Sequence, residues 1–200
     1  MIIESALLLT LANECQNNLP SNIITRLIEI ESANNPYALA VKGVPIFNQA
    51  DNLNDAITSA KKLDSLGFNF SAGLMQINHT NFNKTGLTIE TVFDSCKNIQ
   101  AGSQLFKDCF DRAKITYPNK TEHQQLEHAA SCYYSGNFTT GFKKEGKNNI
   151  SYIDKFNQLD TSHPTPTSVK LHRIQQEKIT HTQDNDSHVE SWDVFSDFAN

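Results

Sequence analysis

Leu27-Ile28-Glu29-Ile30-Glu31-Ser32, followed by Asn35-Pro36, sets a carboxylate where an amphipathic helix needs an apolar side chain. Pro20 and Ser21 mark a helix start, with Ser21 the expected N-cap. Ile24, Leu27 and Ile28 then recur at the spacing of a buried helical face. Glu31 lies seven residues after Ile24, four after Leu27 and three after Ile28, so it continues that face. Arg26 and Glu29 point elsewhere and read as surface charges. Burying an ionised carboxylate without a partner is costly, and the usual escape is a raised pKa. A carboxyl that stays protonated near neutral pH is what a general acid requires. The plainer alternative ends the helix at a solvated rim just before Pro36, with Glu31 in water.

Two further stretches mix apolar and amide or small residues. Gly73-Leu74-Met75-Gln76-Ile77-Asn78 is an odd core segment, because each buried amide needs partners. Gly73 allows backbone to approach closely. In an extended chain Gln76 and Asn78 share one face. Amides presented in a cleft suit the hydroxyl and acetamido groups of sugars; a buried turn with amides bonded to backbone is the alternative. Ala129 to Asn137 packs small residues ahead of Tyr133 and Tyr134, and Gly136 can end that helix. A tyrosine hydroxyl there can orient a carboxyl or its ring can stack on a sugar; core packing with a polar tip explains it equally.

Outward from these segments, helices are expected over 1–15, 21–33, 52–66, 88–93, 98–114, 121–134 and 149–158, with 34–50 as loop or short extended chain. In 52–66 the inward face is Leu53, Ile57, Ala60 and Leu63, and Gly67 stops the helix. No long alternating strand stands out, so the fold class is mainly α. Residues 2–12 are apolar but carry Glu4 and lack a basic flank and a small-x-small site, so they read as a first helix packed on the domain rather than a signal segment. After Leu159 the composition changes to Thr-Ser-His-Pro-Thr-Pro-Thr. The division is therefore a domain at 1–160 and a flexible tail at 161–200. Trp192, Phe195 and Phe198 at its end either dock on the domain or form a short motif for a partner.

The chain has 200 residues, a net charge of −5 and 38% hydrophobic residues. That acidity, with no Lys/Arg stripe, argues against nucleic acid as a partner. No apolar run reaches the ~20 residues that cross a bilayer, which excludes an integral membrane protein. Cys15, Cys96, Cys109 and Cys132 match no zinc spacing and suit two disulfides in an oxidising compartment. Four buried thiols are the alternative, and spacing does not choose among the three possible pairings. No metal and no cofactor is expected.

Glu31-Ser32 with Asn35-Pro36, the Gly73–Asn78 segment, Phe93 to Asn98, Ala101-Gly102 and Ser131 to Asn137, in this order, resemble the lytic transglycosylases of lysozyme-like fold. More narrowly, the chain is similar to the transglycosylase component of type IV secretion and conjugation systems, over roughly residues 8–158. The resemblance implies cleavage of peptidoglycan glycan strands, secretion-system components as partners and a Gram-negative periplasm as location. It makes Glu31 the single catalytic acid/base. Ser32, Met75, Gln76, Asn78, Tyr133 and Tyr152 become the cleft residues that meet substrate, with Tyr133 closing on the carboxyl. It also implies the pairing Cys15–Cys96 and Cys109–Cys132. Two departures are Tyr134, where many relatives carry Asn, and Ala33-Asn34, where Gly is common. Asp51, Asp55, Asp64 and Asp94 read as surface or capping residues, so no second catalytic carboxylate is evident. A lysozyme-like hydrolase, a non-catalytic peptidoglycan-binding scaffold and a disulfide-bonded interaction domain are the competing readings.

Overall fold

The chain enters on helix α1 (Ser5–Cys15), which turns Leu8, Ala12 and Cys15 inward, and continues as α2 (Ser21–Ser32). These belong to a computed structural model that describes residues 2–44, 46 and 48–158. The expected tail at 161–200 lies outside the described residues. α2 is enclosed on more sides than its sequence stripe implies, since Ile23 and Ile30 are buried along with Ile24, Leu27 and Ile28. Arg26 corrects the sequence reading: it is buried, with its guanidinium carbon 4.7 Å from the centre of the Phe156 ring. The ring's π face receives a cation favourably there. Glu29 is exposed, as expected. Ser21 is the first helical residue rather than the cap, because the Pro20 carbonyl already accepts from the Ile23 and Ile24 amides.

Within 34–50, expected as loop or short extended chain, Leu39–Val41 forms strand β1. Helix α3 (Leu53–Ser65) follows, capped by Asn52, whose Oδ1 accepts from the Asp55 amide. Ala56 and Ala60 are buried and Ile57 and Leu63 pack partly buried against the core, so the expected face points inward except at Leu53, which is exposed. Strands β2 (Phe70–Ala72) and β3 (Ile77–Asn78) complete an antiparallel sheet in the order β1-β2-β3, with Ala40 opposite Ser71 and Ser71 opposite Asn78. Strands of two and three residues carry too little alternation to be seen in sequence. A 3₁₀ turn at His79–Asn81 leads into the short helix α4 (Phe82–Thr85).

Residues 88–93 correct another expectation, forming turns rather than a helix. The Thr91 hydroxyl accepts from the Thr88 amide and competes with the helical ladder. Asp94 then caps α5 (Ser95–Thr116), accepting from the Lys97 amide, which starts this helix three residues before its expected beginning. α6 (Glu122–Ser135) opens with a reciprocal capping box of Thr121 and Gln124 and closes at Gly136, φ +77°. A 3₁₀ turn at Thr140–Phe142 precedes the hairpin of β4 (Lys144–Glu145) and β5 (Ile150–Ser151). β5 runs directly into α7 (Tyr152–Gln158), where Ser151 and Asp154 exchange side-chain and amide hydrogen bonds.

Phe70, Phe106, Phe156, Ile24, Leu27, Leu74 and Met75 are fully buried and make the centre of the core. Disulfides tie α1 to the start of α5 through Cys15–Cys96, and α5 to α6 through Cys109–Cys132. Among the described residues no helix is long and apolar enough to cross a membrane. The fold class is mainly α.

Candidate active site

Glu31 occupies the last turn of α2, and the chain turns sharply just after it. Ala33 and Asn34 both adopt left-handed backbone, at φ +47° and +65°. Asn35 then makes a local turn by accepting the Tyr37 amide at 2.9 Å on Oδ1. This geometry ends the helix with Glu31 partly buried, keeping some contact with solvent but packed deeply enough to strip its carboxyl of water. Burial pushes the carboxyl from its ordinary 4.5 up to about 7, against the Tyr152 hydrogen bond and the Lys155 charge, which both pull it down. Tyr152, the first residue of α7, donates its hydroxyl to Glu31 Oε1 at 2.6 Å. Oε1 therefore accepts this hydrogen bond, and Oε2 is the oxygen available to hold a proton.

Tyr133 comes from α6. Its hydroxyl donates to the Met75 carbonyl at 2.6 Å, and both burial and the nearby Glu31 charge push it well above the usual tyrosine range. Tyr152 is raised for the same two reasons. Neither phenol ionises near neutral pH, so both act as hydrogen-bond donors. Tyr134 stacks on Tyr152 with ring centres 4.6 Å apart and planes 17° from parallel, and donates to Glu145 Oε2 at 3.0 Å.

The Gly73–Gln76 segment is a turn between β2 and β3, not an extended run. Gly73 sits at φ +80° and Gln76 at φ +46°. The face shared by Gln76 and Asn78 therefore does not arise. Gln76 is buried; its Nε2 donates to the Ala38 and Gly73 carbonyls, both at 3.0 Å, and its buried Oε1 has no partner. Asn78 caps the 3₁₀ turn, accepting from the Thr80 amide and hydroxyl. Met75 is fully buried, and its thioether packs over Gly102, where a Cβ would meet Sδ at 2.4 Å. That side chain offers no surface to a ligand. Ser32 bonds back to the Ile28 carbonyl at 3.0 Å in the α2 ladder. Contacts in the structure thus bring Glu31, Tyr152, Tyr133 and Tyr134 together, while Ser32, Met75, Gln76 and Asn78 are engaged with the protein itself.

Two residues have no role assigned from sequence. Asn98, fully buried in α5, accepts the Met75 amide at 2.7 Å and donates to the Ala72 and Val92 carbonyls at 3.1 and 2.8 Å. It holds the whole Gly73–Gln76 turn in place. A Cβ at Gly73 would fall 2.2 Å from Asn98 Nδ2, so only glycine fits. Asn98, Gly102 and Phe106 at four-residue steps carry the sequence signal, an amide on an apolar helical stripe. Glu145 is the other, a carboxylate joined to the aromatic pair beside Glu31. Among the described residues no group of three His, Cys, Asp or Glu side chains is arranged to hold a metal ion.

A family model described as the transglycosylase SLT domain matches residues 9–155. The type IV secretion system protein virB1 of Brucella suis biovar 1 is 40% identical over 147 residues, covering 74% of this chain and 61% of the relative. The protein virB1 of Rhizobium radiobacter is 26% identical over 133 residues, 66% of this chain and 54% of the relative. The chain thus spans 61% or less of the length of these curated relatives. No solved structure matches it.

Proposed function

This chain belongs to the transglycosylase SLT domain family, and on that premise we propose that its Glu31 site cleaves the β-1,4 bond between N-acetylmuramic acid and N-acetylglucosamine in peptidoglycan. The observation that carries the reading is a carboxyl raised by burial to about 7 and oriented by a buried tyrosine. Protonated Glu31 donates to the oxygen linking the two sugars as the bond to the muramyl C1 breaks. The muramyl acetamido group stabilises the electron-poor C1. Ionised Glu31 then takes the proton from the C6 hydroxyl of the same sugar, whose oxygen bonds to C1 and closes a 1,6-anhydro ring. The nucleophile is tethered within the substrate, so its effective concentration is high and a single carboxyl serves both steps. Glycosidases that use water need a second carboxyl as base or nucleophile. Glu145 is a poor choice for that task, because its Oε2 is engaged by Tyr134.

The relatives named for type IV secretion suggest the setting. Cleavage opens the wall locally in a Gram-negative periplasm, where the two disulfides are stable, so that an envelope-spanning machine can assemble. The test is incubation of the protein, beside Glu31→Gln, with peptidoglycan sacculi and identification of soluble products by mass spectrometry. Fragments ending in 1,6-anhydromuramic acid from the wild type alone are expected. Reducing ends would mean hydrolysis, and sacculus binding without release would mean a scaffold.

A further inference from the structure

The hairpin of β4 and β5 reaches the site in a way that the chemistry at Glu31 does not by itself explain. Glu145 pairs with Ile150 across the hairpin, and β5 passes without a break into Tyr152. The hairpin and the tyrosine that holds Glu31 are therefore one continuous piece of chain. Its attachment to α6 at this point includes the 3.0 Å bond from the Tyr134 hydroxyl to Glu145 Oε2. The Tyr134 ring lies against the Tyr152 ring, 4.6 Å between centres. The Tyr152 hydroxyl ends the series on Glu31 Oε1. We propose that Glu145 is a positioning residue for Glu31, acting through the Tyr134 ring to keep the Tyr152 hydroxyl on the carboxyl.

The physical reason is rotational. A tyrosine ring stacked on one face can still slide or turn about its own bonds unless its far end is held. Glu145 holds the far end of Tyr134, and an ionised acceptor makes that bond stronger than a neutral one. With Tyr134 fixed, Tyr152 has a rigid wall on one ring face and presents its hydroxyl at one place. Without it, the 2.6 Å bond to Oε1 loosens. The charged and titratable groups facing Glu31 are Tyr152 and Lys155 from α7 and Tyr133 and Tyr134 from α6. Of these, Tyr152 donates the hydrogen bond that favours the ionised carboxyl, so a loosened bond lets the Glu31 midpoint rise. Removing the negative charge of Glu145 alone would move that midpoint the other way. The sign of the shift therefore separates positioning from simple electrostatics.

The inference rests on the proposed function in treating Glu31 as the acid, but its decisive measurement does not. Full-length Glu145→Ala, Glu145→Gln, Tyr134→Phe and the double variant Y134F/E145A are compared with wild type. The Glu31 carboxyl is titrated by ¹³C NMR, with Glu31→Gln identifying its resonance, and sacculus cleavage and thermal midpoint are measured on the same samples. Glu145→Ala and Tyr134→Phe should each raise the Glu31 midpoint by about half a pH unit, a threefold change in ionisation constant. Each should lower kcat about three- to tenfold with KM within about twofold, the size expected of lost orientation. Glu145→Gln keeps an acceptor but loses the charge, so it should show no rise in the Glu31 midpoint and a kcat within about twofold of wild type, and the double variant should be no worse than either single one. An unchanged or lowered midpoint in both single variants overturns the proposal, as do additive losses in the double variant or a change in thermal midpoint alone. If wild type releases no fragments, the proposed function fails. The NMR midpoint still decides the positioning role, an upward shift supporting it and no shift refuting it.

Discussion

At Glu31 the direction of the pKa shift sets the pH dependence that the proposed reaction should show. Its ordinary value is 4.5, and burial brings it to about 7 despite Tyr152 and Lys155. In the proposed mechanism the reaction starts from the protonated carboxyl, and the ionised form arises only after the first transfer. Fragment release should therefore fall as pH rises through about 7, approaching about tenfold per unit beyond it. Initial rates on sacculi between pH 5 and 9 measure this, and a rate that climbs from 7 to 9 would remove Glu31 as the acid. The next residues carry a separate cost. Ala33 lies at φ +47° and Asn34 at φ +65°, a region in which a Cβ crowds the backbone. Ala33→Gly should stabilise the protein by about 0.5–1 kcal/mol, the relief exceeding the added freedom of the unfolded chain. Urea denaturation would show it as a higher midpoint at unchanged slope; a lower midpoint would mean that the Ala33 methyl contributes packing worth more than the strain.

At the level of elements, the site depends on one amide that joins a helix to a turn. Asn98 bridges the Met75 amide and the Ala72 and Val92 carbonyls from the first turn of α5. Asn98→Ala removes three hydrogen bonds to buried backbone groups and should cost about 3–5 kcal/mol. Because the Met75 carbonyl also receives Tyr133, the loss should reach the cleft, lowering activity at temperatures where the variant is still folded. Denaturation beside activity at low temperature tests both parts, and a cost below 1 kcal/mol would show that water replaces the amide. The same turn marks the boundary of what sequence reveals. Helix α2 announces itself through apolar spacing and α6 through its small residues and Gly136, and Glu31 was legible because it interrupts such a stripe. The sheet was not, since its strands are two or three residues long. Arg26 was misread because its side chain is paired with Phe156 from α7, a contact across 130 positions that no local pattern encodes. Tyr152 on Glu31 is likewise distant in sequence and came only through resemblance. Glu145, in a polar hairpin, gave no signal at all.

Across the whole molecule, the buried carboxyl sets function against stability. The unfolded chain holds Glu31 at its ordinary 4.5, whereas the folded chain holds it at about 7. Between those values the folded state binds the extra proton, so this residue favours folding most below pH 4.5 and progressively less as pH rises to 7. Above 7 both states are ionised, and the folded one bears the full cost of a desolvated charge. The two disulfides, which close segments with separations of 81 and 23 residues, are placed to offset such a cost by restricting the unfolded chain around α5. Glu31→Gln has no proton to exchange and keeps nearly the same shape. Relative to wild type it should therefore gain nothing below about pH 4.5 and about 2–3 kcal/mol above pH 7, the linkage equivalent of the shift after allowance for the partly exposed side chain. Urea unfolding of both proteins at pH 4, 6 and 8 would trace the difference. A stability gap that is constant with pH would mean that the carboxyl is solvated in the folded state. Its elevated midpoint, and with it the physical case for Glu31 as an acid at neutral pH, would then be lost.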